Sequence, residues 1–417
     1  MADHARNKRF FSASTLLMLA IAACMSASLV WHEPIPAAWR IPLTAALVLF
    51  SLCITSMRVL VTRKPDLPFA FVRAGGYVSS AFLSLFWLVL LKDAALCLAF
   101  LAGAAFPGLA PACHAALRAL HSVPFELSLL AAAFGMAAVG MALASGVPAV
   151  REVRVPVPGL PAELDGLRLA LLSDLHIGSC SGGRWLKGVV ERTCALRPDF
   201  VLIAGDLADG SPERIEKELA PLADLRARYG VLAVPGNHDY YSGLVPWLEK
   251  WRKWGLVVLL NSHRDFTVNG RTLRVAGVTD QCARGFPKFR GELGPPDLRR
   301  ALRTPDALPS SAASAAPSVE PAPAPADFTI LLSHRPGLAA ESAGLGVGLQ
   351  LSGHTHGGQF FFLFPLVSRI NKGFRAGLYR VADMPLYVSA GTGMWAYAPM
   401  RWGSRSEISL LVLERKG

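Results

Sequence analysis

The chain has 417 residues, long enough for two domains or more. Hydrophobic residues make up 52% of it and charged residues only 17%, which excludes an ordinary soluble enzyme. The net charge of +12 comes without a basic stripe interleaved with aromatics, so no nucleic-acid partner is expected; an anionic membrane surface or a phosphorylated substrate suits it better.

Residues 1–150 hold nearly all the long apolar runs and read as a membrane domain. Four runs, roughly 10–31, 41–60, 75–103 and 125–147, reach the span length of about 20 residues. The third contains Lys92 and Asp93 and reads as one long tilted helix, whose adjacent opposite charges partly neutralise each other or face neighbouring helices. Arg6, Lys8, Arg9, Arg58, Arg63, Lys64, Arg73, Arg151 and Arg154 flank the spans on one side, against Arg40 and Arg118 on the other. That bias places the N-terminus and the whole second half in the cytoplasm. Ile21-Ala22-Ala23-Cys24 loosely resembles a lipoprotein processing site, and cleavage there would not alter the orientation. The cysteines are scattered, odd in number and lack a CxxC pair, which fits a reducing compartment.

After Gly166 short apolar runs alternate with helical stretches. Strands are expected over Leu167–Leu172, Phe200–Ile203, Val231–Val234, Thr329–Leu332 and Leu349–Leu351, with helices over 184–197 and 212–228. Further strands are expected near 272–278, 386–390 and 408–413. Residues 304–326, rich in Ala, Pro and Ser, cannot bury a core and read as a flexible insertion, either a surface loop or a lid. Phe360–Phe364 and Pro365–Val367 are markedly apolar and are followed by Arg369, Lys372 and Arg375. They read either as a buried strand with its connection or as a hydrophobic lip with a basic rim.

Each of the first five strands is followed within three residues by a polar motif. In order these are Asp174-Leu175-His176, Gly205-Asp206-Leu207-Ala208-Asp209, Gly236-Asn237-His238-Asp239, Ser333-His334 and Gly353-His354-Thr355-His356. Loops at strand ends are where such folds build sites, so five strand ends can converge on one rim. Carboxylate, carboxamide and imidazole donors without cysteine suit Mn, Fe, Zn or Co better than Ca or Mg, with Mn the first choice. Gly205, Gly236, Gly353 and Gly357 read as tight-turn positions, and Asp239 reads as an acceptor that organises its loop. The remaining histidines, His4, His32, His114, His121 and His263, read as ordinary surface or core residues.

In this order and spacing the motifs resemble the calcineurin-like metallophosphoesterase superfamily, with its D-x-H, GD-x-x-D, GNH-[DE], H and GH-x-H pattern. The resemblance covers roughly residues 152–417. Leu332-Ser333-His334-Arg335-Pro336 and Tyr387-Val388-Ser389-Ala390-Gly391-Thr392-Gly393 look like its branch of membrane-attached bacterial phosphohydrolases. Ala390 stands where that branch usually carries Arg or Asn. The resemblance implies an α/β fold, a four-layer sandwich of two mixed β-sheets flanked by helices, over residues 151–417.

It also implies roles. Asp174, His176 and His356 would hold a first divalent ion, Asp206 would bridge to a second, and Asn237, His334 and His354 would complete that second site. His238 would not be a ligand; paired with Asp209 it would act on the substrate as the catalytic pair. Two divalent ions against two carboxylates leave roughly two positive charges for a phosphate and a metal-activated hydroxide. The expected function is a membrane-anchored phosphoesterase acting on phosphate ester or pyrophosphate bonds of a small molecule or lipid. A phospholipid or nucleotide-linked lipid is the alternative substrate. A non-catalytic metal-binding scaffold is disfavoured because the ligand set is complete, and a transporter because the spans carry so little charge.

Overall fold

The computed structural model describes residues 15–33, 35–63, 67–178, 180–303, 326–395 and 399–416. The chain divides into two compact units, one of residues 1–143 with Ala396–Met400 and the other of 144–395 with 401–417. The insertion expected over 304–326 lies outside the described residues except for Ala326.

The described part of the first unit is helical: Thr15–Trp31, Ala37–Arg63, Phe69–Ala105, Ala110–Leu120 and Val123–Ser145. Two of these helices, over Ala70–Ala105 and Val123–Ser145, are long and apolar enough to cross a membrane; Thr15–Trp31 and Ala37–Leu52 are shorter apolar stretches. The third run is one continuous helix, as expected. Its two charges follow the second of the two expected readings and face neighbouring segments. Lys92 Nζ lies 3.1 Å from Glu33 Oε1 and 2.5 Å from Glu126 Oε1, while Asp93 accepts a 2.6 Å hydrogen bond from Ser28. Both also meet at Ser28, whose hydroxyl donates to Asp93 while its carbonyl accepts a 3.2 Å hydrogen bond from Lys92. His121, read as an ordinary residue, joins this network with Nδ1 2.8 Å from Glu33 Oε1.

In the second unit the strands are β1 (Ala149–Pro158), β2 (Arg168–Leu172), β3 (Phe200–Ala204), β4 (Val231–Val234), β5 (Val257–Val258) and β6 (Ser262–Val268). They continue with β7 (Arg271–Gly277), β8 (Phe328–Leu332), β9 (Leu349–Ser352), β10 (Gly377–Val381), β11 (Met384–Val388) and β12 (Glu407–Lys416). They form two six-stranded sheets, ordered β1-β12-β2-β3-β4-β5 and β10-β11-β9-β8-β7-β6. Both sheets are mixed: β2, β3 and β4 run parallel, as do β7, β8 and β9, while β12 is antiparallel to β2 and β10 to β11.

Apolar residues from the two inner faces, among them Leu169, Leu202, Leu232, Val275, Ile330 and Leu349, make one core between the sheets. Helices cover the outer faces over two further cores, one built on Val189, Ile215 and Trp247, the other on Leu298, Ala339 and Val347. The expected flanking of two mixed sheets by helices is therefore observed.

The strands β1, β5, β6 and β10 are not among those expected, and two expected elements take another form. The helix expected over 212–228 stops at Leu219 and gives way to a 3₁₀ turn over Ala220–Asp224, where Pro221 lacks an N–H to continue the ladder. Phe360 is buried, but the chain then forms the turn Phe361–Leu363 and the helix Phe364–Ile370, leaving Phe361, Leu366 and Ile370 exposed. The buried-strand reading of this segment is thus wrong.

Candidate metal centre

The five motifs follow the carboxyl ends of β2, β3 and β4 in one sheet and of β8 and β9 in the other. Backbone hydrogen bonds tie the loops together: Asp174 N–H to Gly205 C=O at 2.9 Å, His176 N–H to Asp206 C=O at 3.0 Å and Gly353 N–H to His334 C=O at 2.9 Å. Asp174, His176, Asp206, His354 and His356 all have φ between 48° and 71°. Left-handed backbone is uncommon for residues with a Cβ and collects at functional sites held by their surroundings.

Donor atoms converge in three overlapping groups, each within 4.8 Å: Asp174, His176 and His356; His176, Asp206 and His238; and Asp206, His334 and His354. His176 Nε2 lies 3.1 Å from His356 Nε2, and His356 Nε2 lies 3.5 Å from Asp174 Oδ1. On the other side His354 Nδ1 lies 3.2 Å from His334 Nε2. Asp206 Oδ2 sits between, 3.6 Å from His176 Nε2 and 3.3 Å from His334 Nε2. Nitrogen and oxygen donors facing one another this closely, buried except at the partly exposed His238 and His354, fit borderline divalent ions by donor chemistry. No described cysteine enters a group.

Burial pulls the His176 imidazole down, but the carboxylates of Asp209, Asp206 and Asp174 outweigh it and hold it at about 9. His334 is likewise raised to about 10, burial being overcome chiefly by Asp206. His354 and His356 are pushed well below the usual range by burial, then by neighbouring cations: Arg335 and His334 for the first, His176 and Arg401 for the second. The protons held on His176 and His334 occupy nitrogens that face carboxylates, and cation binding at such nitrogens releases protons.

Asn237 opens the short helix Asn237–Tyr241, and its Oδ1 accepts a 2.9 Å hydrogen bond from Arg335 Nη2. His238 Nδ1 lies 2.7 Å from Asp209 Oδ1. Asp209 also reaches His176 Nδ1 at 3.1 Å, so one carboxylate orients two imidazoles, which the motif spacing did not reveal. Asp239 accepts from the N–H groups of Asp206, Leu207, Ala208 and Gly236, organising its loop as expected.

Sequence reasoning missed two arginines. Arg335 is held by Asp280 at 2.8 Å and reaches Asn237; its place directly after His334 was the available signal. Buried Arg401 donates to the carbonyls of His356 at 3.2 Å and Ala390 at 2.9 Å, so a guanidinium sits beside the position where Ala390 replaces the branch's usual polar residue. Nothing in the local sequence pointed from Arg401 to His356.

The glycines divide by cause. Gly205 and Gly357 turn the chain at positive φ, as expected. Gly236 does not: a Cβ there would lie 2.2 Å from Asp206 Oδ1 and 2.5 Å from its backbone nitrogen, so its role is close approach. Gly236→Ala should therefore displace the Asp206 carboxylate and weaken metal binding by roughly 10–100-fold, the range for disturbed support around metal ligands. Chelator competition measures this, and unchanged affinity would mean that the loop yields without cost.

The calcineurin-like phosphoesterase pattern matches residues 167–358 of this chain. The Danio rerio transmembrane protein with metallophosphoesterase domain is 36% identical over 287 residues, 67% of this chain and 60% of the relative. A metallophosphoesterase of Campylobacter jejuni is 32% identical over 294 residues, 70% of each chain. The chain spans about 60% of the vertebrate relatives it matches. With the motifs gathered as they are and the match to the Campylobacter protein running through most of both chains, this chain belongs to the calcineurin-like phosphoesterase family.

Proposed function

We propose that the chain is a membrane-anchored, metal-dependent phosphoesterase that hydrolyses phosphate ester or pyrophosphate bonds. The observation that carries this reading is the position of Asp206 between two groups of facing imidazoles and carboxylates. Asp174, His176 and His356 would hold one divalent ion, Asn237, His334 and His354 a second, with Asp206 shared. Such ions supply charge that stabilises a phosphoryl group in transfer and make water acidic enough to attack it. The remaining work falls to side chains. Asp209 occupies His238 Nδ1 and so leaves Nε2 as the nitrogen that can pass a proton to the leaving oxygen. Arg335, fixed by Asp280, adds positive charge beside Asn237 for a phosphate oxygen.

The test is a substrate panel on the detergent-solubilised chain after metal stripping. Mn should restore hydrolysis of at least one phosphomonoester, phosphodiester or pyrophosphate, with Fe, Zn or Co as weaker substitutes. A fully metal-loaded chain inert toward every class would overturn the reading.

Membrane anchoring is supported by the two long apolar helices and by the name of the Danio relative. We place residues 1–150 as the membrane domain, with four spans, and 151–417 as the cytoplasmic phosphoesterase domain. Lysine and arginine asymmetry supports that orientation. A reporter fused after Gly417 that works only in the cytoplasm should be active, and one that works only outside should be silent. The reverse would mean an odd number of spans and would exclude cytoplasmic substrates.

A further inference from the structure

We infer that the segment Phe361–Lys372 is a lipid-docking lip, which seats the metal centre on an anionic phospholipid surface and marks its substrate as a membrane lipid phosphate. This deepens the proposed function and rests on its membrane reading. Among its described residues the phosphoesterase unit exposes few large apolar side chains, and the three most exposed are here: Phe361 at 57%, Leu366 at 53% and Ile370 at 68%. Between Phe361 and Arg375 the sequence FFLFPLVSRINKGFR contains no acid, and Arg369 and Lys372 are exposed beside the apolar tips.

The exposure is built into the fold, since the segment is fastened to the metal-centre loop. Gly358, two residues after His356, has φ of 81°, and a Cβ there would lie 2.7 Å from the Phe364 ring. The Arg375 guanidinium stacks over that ring at 3.8 Å and donates to Gly357 C=O at 2.9 Å. Phe360, fully buried, roots the turn. With Phe360, Phe364 and Arg375 committed to holding the segment, Phe361, Leu366 and Ile370 are left facing outward.

Apolar tips beside cations, with no anion among them, match the acyl-headgroup boundary of an anionic leaflet, where the apolar side chains enter and the cations meet phosphates. Protein interfaces are instead depleted of Lys, which here borders the apolar tips. Because the lip continues the loop of His354 and His356, lipid seated on it brings headgroup phosphates to the metal centre, whereas a soluble phosphate would gain nothing from it.

The test places a benzoylphenylalanine photo-cross-linker at Leu366 or Ile370 of the full chain, and at exposed Glu249 as control. Each variant is reconstituted in nanodiscs of phosphatidylglycerol and phosphatidylcholine, irradiated and analysed by mass spectrometry. Lipid adducts at 366 and 370 and none at 249 are expected. Arg369→Glu with Lys372→Glu should lower the phosphatidylglycerol adduct more than the phosphatidylcholine one. A chain stripped from membranes by alkaline carbonate would sink the membrane reading and this inference together. A carbonate-resistant chain without adducts at 366 and 370, or with equal adducts at all three positions, would sink this inference alone.

Discussion

Asp206→Asn should lose bound metal and at least about a hundredfold in hydrolytic rate, the scale of a disrupted metal site. The substitution keeps the side chain's shape and removes its charge, so it isolates electrostatics from packing. Asp206 is 2% exposed, and its Oδ2 lies 3.6 Å and 3.3 Å from the facing nitrogens of His176 and His334. Its Oδ1 accepts a 2.7 Å hydrogen bond from the His238 backbone, so an amide that turns its NH₂ toward this donor also disturbs that loop. Two cations sharing one pocket repel each other unless an anion lies between them, and among the described carboxylates Asp206 is the one that belongs to two of the donor groups. Elemental analysis alongside phosphate release reads the result. Full activity with two ions still bound would remove Asp206 from the shared position.

His238→Ala separates the ligand role from proton transfer. Distance alone does not, because His238 also falls within 4.8 Å of His176 and Asp206. The hydrogen-bond pattern favours the acid: its Nδ1 is committed to Asp209 at 2.7 Å, and its side chain is 13% exposed while those of His176 and His334 are fully buried. The variant should keep its metal and lose roughly 10²–10⁴-fold in rate, the range for a positioned acid–base group. His334→Ala should lose metal as well, since His334 contacts Asp206 and is anchored by Ala204 C=O at 2.7 Å. Metal loss from the His238 variant would reassign it as a ligand. A substrate whose leaving group needs no proton should be hydrolysed almost normally by His238→Ala, which a merely structural role would not allow.

The sequence by itself determined where the candidate site residues sit along the chain. Apolar runs such as Val231–Val234 must be buried, and a buried strand cannot continue into Gly236-Asn237-His238-Asp239, so the motif falls at the strand end. It did not foresee β1, because Val155-Pro156-Val157-Pro158 reads poorly as a strand; the prolines are tolerated there since β1 lies at the sheet edge. Which side chains meet was left to tertiary structure. Lys92 finds Glu33 and Glu126, Arg335 finds Asp280 and Asn237, and Arg401 finds the His356 carbonyl, each across a separation that no local pattern encodes. Tertiary structure likewise decided that Phe360 is buried and Phe361 is not. Hydrophobicity states how much a side chain gains by leaving water, but only the packed neighbours decide whether anything is there to cover it.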